Sequence, residues 1–392
     1  MIRKNRIINI PENENNFLFG VRGSGKTDLL KQLFPPSPST LYIDLLDTSI
    51  YKDYLSNTGQ FYERVNAFRN DGLVIVDEIQ KIPQLLDEVH RLIESSNRRF
   101  ILTGSSARKI KATQGVNLLG GRAGRKFLHP FTPEELGEDF DLNEALQYGL
   151  LPIVWSSTNR SNKLKAYTET YLTEEIKAEA LVRNLPAFAR FLEVAGLYHG
   201  QIVNMTAVAR DTQVSRHFVC NFFSILEDTM LGFFLRPYHP KLRVKEQKSN
   251  KFYLIDPGIA RALKKNFGSV SVEEKGFLFE GLIAQLLKAY KDYRGLYDEI
   301  YYWSSTEAKE MEVDFLLKRG KELIAIEVKA KTDVSSRDYR GLKAIGELPN
   351  VKRQIIVYMG KFIRKTEQGI EIWPFDFFCK NLKEDFKSLV VP

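Results

Sequence analysis

The sequence predicts an α/β protein with a parallel-sheet core, a helical middle part and a small α/β C-terminal part. Apolar, strand-like runs alternate with helical segments over roughly the first 138 residues, which is typical of a parallel sheet. Helical periodicity dominates from about residue 142, and a long amphipathic helix followed by further strands begins near residue 274. We therefore expect three units, at residues 1–138, 139–273 and 274–392.

The composition excludes several classes of protein. Of the 392 residues, 43% are hydrophobic and 27% are charged, which excludes collagen-like and disordered chains. No run approaches the roughly 18 apolar residues of a membrane helix, and the N-terminus lacks the apolar core of a secretory signal. Two cysteines, Cys220 and Cys379, are too few for a disulfide framework. We expect a cytoplasmic protein without membrane association.

The first strand, Phe17–Phe19, runs into a glycine-rich loop, and a helix is predicted at Asp28–Phe34. The loop, residues 20–27, reads GVRGSGKT and matches the phosphate-loop pattern GxxxxGK[ST]. In this pattern backbone N–H groups and the helix N-terminus bind phosphate, the lysine (Lys26) reaches the β- and γ-phosphates, and the hydroxyl of Thr27 binds Mg²⁺. The predicted ATP contacts are Gly20, Gly23, Ser24, Gly25, Lys26, Thr27, Asp28 and, from a later strand end, Ser105.

Two acids follow a later buried strand. The apolar, β-branched run LVIV ends in Asp77 and Glu78, which places both carboxylates at the sheet edge where α/β proteins bind ligands. We expect Asp77 to hold Mg²⁺ and Glu78 to polarise the attacking water, so the pair favours hydrolysis over mere nucleotide binding. The hydroxyl of Ser105 either orients that water, senses the γ-phosphate or caps a helix. The strands after the first are predicted at Leu41–Ile43, Leu73–Val76, Phe100–Thr103 and Lys126–Leu128.

The middle unit contains a predicted helix–turn–helix. A short helix at Thr206–Arg210 and a polar turn precede a second helix that Ser215 caps. Two strand-like runs follow, as in a winged helix, and Phe218, Phe222 and Phe223 are expected to face the core. If the second helix enters the major groove of DNA, its contacts would be Arg216, His217 and Asn221.

The charge of the chain is concentrated beside this motif. The net charge is +8, and the window 236–265 alone holds nine Lys or Arg and two acids. A basic hairpin at this point suits phosphate contacts, although a basic loop on a protein-binding domain would have the same composition. The predicted wing contacts with DNA are Lys241, Arg243, Lys245, Lys248 and Lys251.

The C-terminal unit carries acids on neighbouring elements. A helix at Gly276–Tyr290 contains Glu280, and the next two strands contain Asp314 and the pair Glu327 and Lys329. Positions i and i+2 of a strand share a face, so the pattern resembles the PD-(D/E)xK nuclease core. In that core Asp314 and Glu327 would bind Mg²⁺, and the metal with Lys329 would activate water.

The ordered set of motifs resembles an AAA+-type ATPase: GVRGSGKT, VIVDEIQKIP, ILTGSSA and LLGGR. With DTQVSRHFVCNFFSILEDT, KFYLIDPGIA, FEGLIAQLL and EVDFLL, nearly the whole chain resembles a large family of prokaryotic ATPases. Its members carry a winged helix and a restriction-endonuclease-like C-terminal domain. The resemblance implies that Arg122, rather than Arg125, completes the site of a neighbouring subunit. It also implies a homo-oligomer, with a hexameric ring as one candidate.

These observations predict an Mg²⁺-dependent ATPase that acts on duplex or branched DNA, with helicase, translocase or nuclease activity left open. Two alternatives remain. One is a nucleotide-gated signalling or scaffold switch whose winged helix binds protein. The other is a DNA-binding ATPase whose nuclease fold is catalytically dead.

Overall fold

The structure is a computed structural model, and it describes residues 4–11, 13–106, 118–171, 184–239, 249–305 and 311–386. Within these ranges the first unit forms a five-stranded sheet in the order β2-β3-β4-β1-β5, with every pair parallel. Its strands are β1 (Asn16–Gly20), β2 (Thr40–Asp44), β3 (Leu73–Asp77), β4 (Arg99–Gly104) and β5 (Gly124–Leu128). Its helices are α1 (Lys26–Leu33), α2 (Thr48–Ser56), α3 (Thr58–Asn66) and α4 (Leu85–Ser95). The predicted parallel α/β core is confirmed.

The sheet order explains how distant motifs meet. All five residues of β3 are buried, as its apolar, β-branched sequence predicts for a strand covered on both faces. Because β4 lies between β1 and β3, the loop after β1 and the acids after β3 flank the end of β4 at the same edge of the sheet. This is the edge at which parallel α/β sheets bind ligands.

The middle unit is mainly helical. Helix α8 ends at Ala166, and a π-helical turn follows at Tyr167–Tyr171. Residues 172–183 lie outside the described ranges. After α5 (Pro133–Leu136), which ends the first unit, the helices are α6 (Leu142–Tyr148), α7 (Pro152–Trp155), α8 (Arg160–Ala166), α9 (Leu185–Leu197), α10 (Met205–Thr212), α11 (Arg216–Asp228) and α12 (Pro257–Leu263). The strands are β6 (Gln201–Ile202), β7 (Gly232–Pro237) and β8 (Lys251–Leu254).

The predicted helix–turn–helix spacing is present as α10 and α11. Asn204 caps α10 by accepting from the N–H groups of Thr206 and Ala207, and Ser215 caps α11 by accepting from Phe218 N. Between the two helices Gln213 has a left-handed backbone, with φ of 56°. β7 and β8 then pair antiparallel. The interpretation of this arrangement as a winged helix stays a prediction.

The C-terminal unit begins with one long helix, which a capping box of Ser271 and Glu274 starts. The helix extends beyond the predicted Gly276–Tyr290 at both ends. The elements are α13 (Val272–Arg294), β9 (Glu299–Ser304), β10 (Glu312–Arg319), β11 (Glu322–Lys329), α14 (Arg340–Ile345), β12 (Val351–Tyr358), β13 (Arg364–Lys365), β14 (Glu371–Pro374) and α15 (Phe375–Lys383).

The strands expected to form a separate wing are joined to this C-terminal sheet. The described strands form a nine-stranded sheet in the order β13-β14-β12-β11-β10-β9-β7-β8-β6. The junction is a parallel pairing of Arg236 with Tyr301 and of Pro237 with Tyr302, extended by a hydrogen bond from Tyr238 N to Tyr302 O at 2.7 Å. The predicted unit boundary at residues 273/274 therefore separates strands that pair, and the boundaries themselves stay a prediction.

Helix α13 also contacts the first unit. His129, just after β5, has its Nε2 2.7 Å from Asp292 Oδ2, and its backbone N–H donates to Tyr293 Oη at 2.9 Å. Arg6 takes part in the same contact, because its Nη2 donates to Tyr293 Oη at 3.4 Å and to His129 O. The first and third units are thus joined through buried polar contacts. None of the helices in the described part of the chain has the length and apolar character to cross a membrane.

A buried histidine makes stability depend on pH. His199 is 3% exposed and its Nδ1 accepts from Leu254 N at 3.1 Å, while its Nε2 has no hydrogen-bond partner among the described residues. Gly281 leaves room for the ring, because a Cβ there would lie 2.0 Å from Nε2. Burial lowers the pKa of His199 to about 3, with the positive charge of Lys264 acting in the same direction. The imidazole is therefore neutral in the folded chain.

We expect the free energy of unfolding to fall as pH drops from about 6.5 towards 3, because in that window the unfolded chain takes up a proton that the folded chain does not. The His199 contribution approaches about 1.4 kcal/mol per pH unit well below pH 6.5. Urea unfolding at pH 6, 5 and 4 should show a shallower loss of stability in His199→Asn than in the wild type. His217→Asn, at an exposed position, is the control. Equal slopes in all three proteins would contradict the assignment.

Candidate nucleotide site and C-terminal acid cluster

The loop between β1 and α1 requires glycine at two positions. Gly23 and Gly25 have φ angles of 79° and 89°, in the left-handed region. A Cβ on Gly23 would also lie 2.6 Å from Ile153 Cγ2. Because α1 begins directly after Gly25, its first-turn N–H groups and the positive end of its dipole lie at the loop, where an anion is stabilised. Lys26 is nearly buried, and its Nζ donates to Gly20 O at 2.9 Å.

Asp77 is fully buried at the end of β3, and three hydroxyl groups donate to its carboxylate. Thr27 Oγ1 and Tyr42 Oη lie 2.7 and 2.6 Å from Oδ2, and Thr103 Oγ1 donates to Oδ1. Burial, together with Asp77, raises the pKa of Tyr42, so its hydroxyl stays a donor. Hydroxyl and carboxylate oxygens are ligands that Mg²⁺ prefers. The contact between Thr27 and Asp77 therefore fits a magnesium ion.

Glu78 lines the cavity beside the loop and has a left-handed backbone, with φ of 61°. Its N–H donates to Thr103 Oγ1 at 3.0 Å, and its Oε2 accepts from Gln80 Nε2. Gln80 Nε2 also donates to Ser105 Oγ at 3.1 Å. Gln80 therefore links Ser105 to Glu78 by hydrogen bonds. Ser105 is not among the described residues that line the cavity.

The cavity at the loop has a volume of about 300 Å³, and its far wall is apolar. This volume lies at the lower end of the range for small-molecule sites. The polar side is the glycine-rich loop, and the apolar side includes Phe131, Pro152 and Ile153. Arg6 joins the two sides, since its Nη1 donates to Ser24 O at 3.0 Å and its guanidinium lies 4.9 Å from the ring centroid of Phe131.

Several of these residues escape sequence reasoning. Gln80 was not predicted as a site residue, although its position two residues after Glu78 places it near the site. Tyr42, Arg6, Phe131 and Ile153 carry no motif, and only the fold brings them to the loop. The predicted contacts Gly23, Ser24, Gly25, Lys26, Thr27, Asp28 and Glu78 all line the cavity, whereas Gly20 contributes the carbonyl that Lys26 contacts.

Arg122 lies outside its own chain's nucleotide cavity, as far as the described residues show. It follows a 3-10 helix at Leu118–Gly121, and its Nη2 lies 2.8 Å from Glu94 Oε1 with the Arg122 side chain 43% exposed. Arg125 is also exposed, on β5 at the edge of the sheet. Both arginines therefore lie on the surface of this chain.

Acids from α13, β10 and β11 meet in the C-terminal unit. Asp314 Oδ2 accepts from Val328 N at 2.9 Å, and it lies where the pairing of β10 with β9 changes register. Lys329 Nζ lies 2.5 Å from Glu327 Oε1, while Glu327 Oε2 is buried without a partner among the described residues. Burial and the charge of Asp314 raise the pKa of Glu327 to about 8. The members of this acid cluster are Glu280, Glu312, Asp314 and Glu327.

Lys251 was expected on a DNA-binding hairpin, and the structure contradicts this. It is 4% exposed at the start of β8, and its Nζ lies 3.1 Å from Glu280 Oε1 and 3.3 Å from Asp314 Oδ1 and also pairs with Glu312. An ammonium group among three carboxylates stands where a divalent cation would be expected, so these residues do not fit a metal as they are arranged. Among the described residues no group of three or more His, Cys, Asp or Glu is arranged to hold a metal ion.

The candidate DNA-contacting face is described only in part. Arg216 and His217 are exposed in the first turn of α11, and Asn221 is half-buried one turn later. Phe218 was expected to face the core, but it is 50% exposed, whereas Phe222 and Phe223 are buried. In an amphipathic helix, exposed positions recur every three to four residues. Position 218 therefore lies on the same exposed face of α11 as its N-cap residue, Ser215. The predicted contacts Lys241, Arg243, Lys245 and Lys248 lie outside the described residues.

Among the described residues of the window 236–265, fewer basic side chains lie at the surface than the sequence indicates. Besides Lys251, Arg261 is 1% exposed and lies 3.0 Å from Glu274, which Lys264 also approaches. These cations neutralise internal acids rather than forming a surface patch.

Three family models match consecutive parts of the chain. Residues 12–137 match a model described as an AAA domain. Residues 139–269 and 275–378 match two models described as domains of unknown function, DUF8612 and DUF4143.

Three proteins from two mycobacteria and an archaeon are similar to this chain over most of its length. An uncharacterized protein of Mycobacterium tuberculosis and one of Mycobacterium bovis are each 26% identical over 309 residues, which covers 74% of this chain and 65% of theirs. The chain thus spans a little under two thirds of the length of these two relatives. An uncharacterized protein of Methanocaldococcus jannaschii is 24% identical over 386 residues, covering 83% of this chain and 78% of that protein.

Among solved structures, domain III of the Thermotoga maritima replication initiation protein DnaA is 18% identical, with a TM-score of 0.25 over 42% of this chain and 79% of that one. A Vibrio cholerae protein, VC1899, is 12% identical, with a TM-score of 0.21 over 94% of this chain and 96% of that one. Taken with the parallel sheet and the geometry at its carboxyl edge, the family match over residues 12–137 identifies the first unit as a P-loop domain of the AAA type.

Proposed function

We propose that this chain is an Mg²⁺-dependent ATPase that acts on DNA. The observation that carries the hydrolytic part is the contact of Thr27 Oγ1 with Asp77 Oδ2, 2.7 Å apart, beside a cavity that Glu78 also lines. A site that only bound nucleotide would not require a second acid next to the magnesium ligand.

The chain's own residues account for the steps of hydrolysis. Backbone N–H groups of residues 23–27 and the Lys26 ammonium bind the phosphates, and Lys26 exchanges its contact with Gly20 O for a phosphate oxygen. Thr27 and Asp77 would hold Mg²⁺, which neutralises charge on the phosphates when bound. Glu78 orients the attacking water and accepts its proton, while Gln80 holds the Glu78 carboxylate in place.

The nucleotide site is completed by a second copy of the chain in this proposal. Arg122 is exposed and does not line the cavity of its own subunit among the described residues. Its partner Glu94 is itself half-exposed, and such surface ion pairs are worth only about 0–1 kcal/mol. Arg122 is therefore free to leave Glu94 for a charge that develops on a phosphoryl group in a neighbouring subunit. This supports a homo-oligomer.

DNA binding is supported by the exposed first turn of α11 and by the basic segment that follows β7. A panel of linear, forked and four-way DNA tests it, with ATP turnover and DNA affinity measured at several salt concentrations. We expect at least one DNA to stimulate turnover and to bind with an affinity that falls as salt rises. Unchanged turnover together with salt-independent or absent binding would contradict DNA as the partner.

Arg216 gives this test a single-residue form. Arg216→Glu places an acid at the N-terminus of the helix expected to approach the phosphates, so DNA affinity should fall and its salt dependence should become weaker. Lys52→Glu, at an exposed position of α2, makes the same change of charge in the first unit and is the matched control. Basal ATP turnover without DNA serves as the measure of folding. Equal losses of DNA affinity in both variants would show that only net charge matters.

Two observations favour the alternative functions. The half-exposed Phe218, beside Arg216 and His217, suits a protein partner better than a phosphate backbone, as in a nucleotide-gated switch. Oligomers that alternate between ATP and ADP without any effect of DNA would establish that alternative. The ammonium of Lys251 in the acid cluster favours a DNA-binding ATPase whose C-terminal unit does not cut.

A further inference from the structure

The acid cluster has its own cation. Lys251 enters it from β8, a strand of the middle unit, while the acids lie on α13, β10 and β11 of the C-terminal unit. The Lys251 side chain is 5% exposed, and its Nζ is within 3.3 Å of carboxylate oxygens of Glu280 and Asp314 and contacts a third, that of Glu312. No other lysine for which an ion pair is described contacts three acids.

Neighbouring groups fix Lys251 and the cluster in this arrangement. Tyr253, two residues further along β8, is fully buried, and its hydroxyl donates to Glu280 Oε1 at 2.5 Å. The ring of Tyr253 packs 5.9 Å from Phe315, the residue after Asp314. The contacts of Nζ with three carboxylates stabilise the positive charge of the Lys251 side chain.

A divalent cation and this ammonium group cannot share the same oxygens. Mg²⁺ needs oxygen ligands at about 2.0–2.1 Å in octahedral geometry, whereas the ammonium already contacts one oxygen from each of three acids. Two like charges only a few ångströms apart in a buried place repel strongly. Entry of a metal would therefore require Lys251 to leave, and β8 holds it within the nine-stranded sheet.

We propose that Lys251 is the built-in cation of the acid cluster: its ammonium occupies oxygens of three of the carboxylates and keeps Mg²⁺ and Mn²⁺ out of the cluster in the folded chain. Its removal turns the cluster into a divalent-cation site. Glu327 Oε2, buried and without a partner among the described residues, supplies a further oxygen for that metal. This inference concerns the C-terminal unit and does not depend on ATP hydrolysis, so either can fail without the other.

The test counts Mn²⁺ bound per full-length chain by electron paramagnetic resonance, with no nucleotide present. The wild type and Asp314→Asn should bind the same number, because Asp314 holds no metal. Lys251→Met should bind one Mn²⁺ more than the wild type, and Lys251→Met with Asp314→Asn should lose it. The nucleotide site is identical in the wild type and in all the variants, so any Mn²⁺ bound there adds equally to every count and leaves the differences unchanged.

Two control variants separate loss of the cation from loss of a lysine. Lys251→Arg retains a positive charge and should bind no additional Mn²⁺. Lys264→Met removes a half-buried lysine that approaches Glu274, outside the acid cluster, and should also bind none. Added Mn²⁺ or Mg²⁺ should raise the Tm of Lys251→Met and leave that of both controls unchanged, because only the first has carboxylates left to neutralise.

The comparison of the wild type with Asp314→Asn tests the proposal even if Lys251→Met does not fold without metal. Mn²⁺ bound by the wild type and lost in Asp314→Asn would overturn the proposal, since the cluster would then bind metal with Lys251 present. A folded Lys251→Met that binds no additional Mn²⁺ would overturn it as well. Equal binding by the wild type and Asp314→Asn supports it.

Discussion

The Glu78→Gln variant is expected to bind ATP and to hydrolyse it about 10²–10⁴-fold more slowly than the wild type, the usual contribution of a general base. Glutamine keeps the size and hydrogen-bonding capacity of the side chain but cannot accept the proton of the attacking water. The Thr27 and Asp77 pair is untouched, so nucleotide affinity should be retained. Steady-state phosphate release measures the rate, and titration with a fluorescent ATP analogue measures the affinity.

Glu63→Gln is the matched control, because Glu63 lies exposed on α3 in the same unit. It should hydrolyse ATP at the wild-type rate. If Glu78→Gln retains full turnover, the acid next to the magnesium ligand is not the base. If it loses ATP binding as well, Glu78 supports the fold of the loop instead of the chemical step.

The Arg122→Ala variant is expected to lose about 10³-fold or more of its turnover, the effect of removing an arginine that stabilises a transferring phosphoryl group. ATP binding should persist, because Arg122 lies outside the cavity of its own subunit. Arg125→Ala removes a neighbouring exposed arginine and should keep its activity. Similar losses in both variants would leave Arg122 without a special role.

Mixing the two inactive variants tests whether Arg122 acts across a subunit boundary. Arg122→Ala has an intact Glu78 but donates no arginine, whereas Glu78→Gln has an inactive site but donates one. In mixed oligomers an Arg122→Ala site that receives arginine from a Glu78→Gln neighbour regains activity. The mixture should therefore turn over ATP faster than either variant alone. No gain, with mixed oligomers shown to form, would contradict a role in trans.

The parts of the site that lie in recognisable motifs at strand ends were predictable from the sequence. The residues of GVRGSGKT are neighbours in the chain, and the carboxyl ends of parallel strands meet at one edge of a sheet, so Thr27 and Asp77 were expected to approach each other. The apolar wall was not predictable. Phe131 and Ile153 lie more than a hundred residues after the loop, and nothing in their own sequence says that they return to it.

Lys251 shows the limit of reading charge from sequence. It follows a basic stretch, and the sequence of that stretch does not distinguish a lysine that faces solvent from one that contacts an acid. Its burial depends on the pairing of β7 with β9, which brings β8 to the acids of the C-terminal unit. That pairing connects residues about sixty-five positions apart, and local periodicity carries no information about it.

The origin of Lys251 in the middle unit has a practical consequence for work with fragments. A fragment that begins near residue 274 would contain all four acids of the cluster but not the ammonium that contacts three of them. It would also lack β7, leaving the edge of β9 unpaired. Such a fragment should take up divalent cations, and cut DNA if it can cut at all, under conditions in which the intact chain does neither. Metal binding or cleavage seen only in the isolated C-terminal fragment would therefore result from the removal of Lys251 and would not be a property of the intact chain.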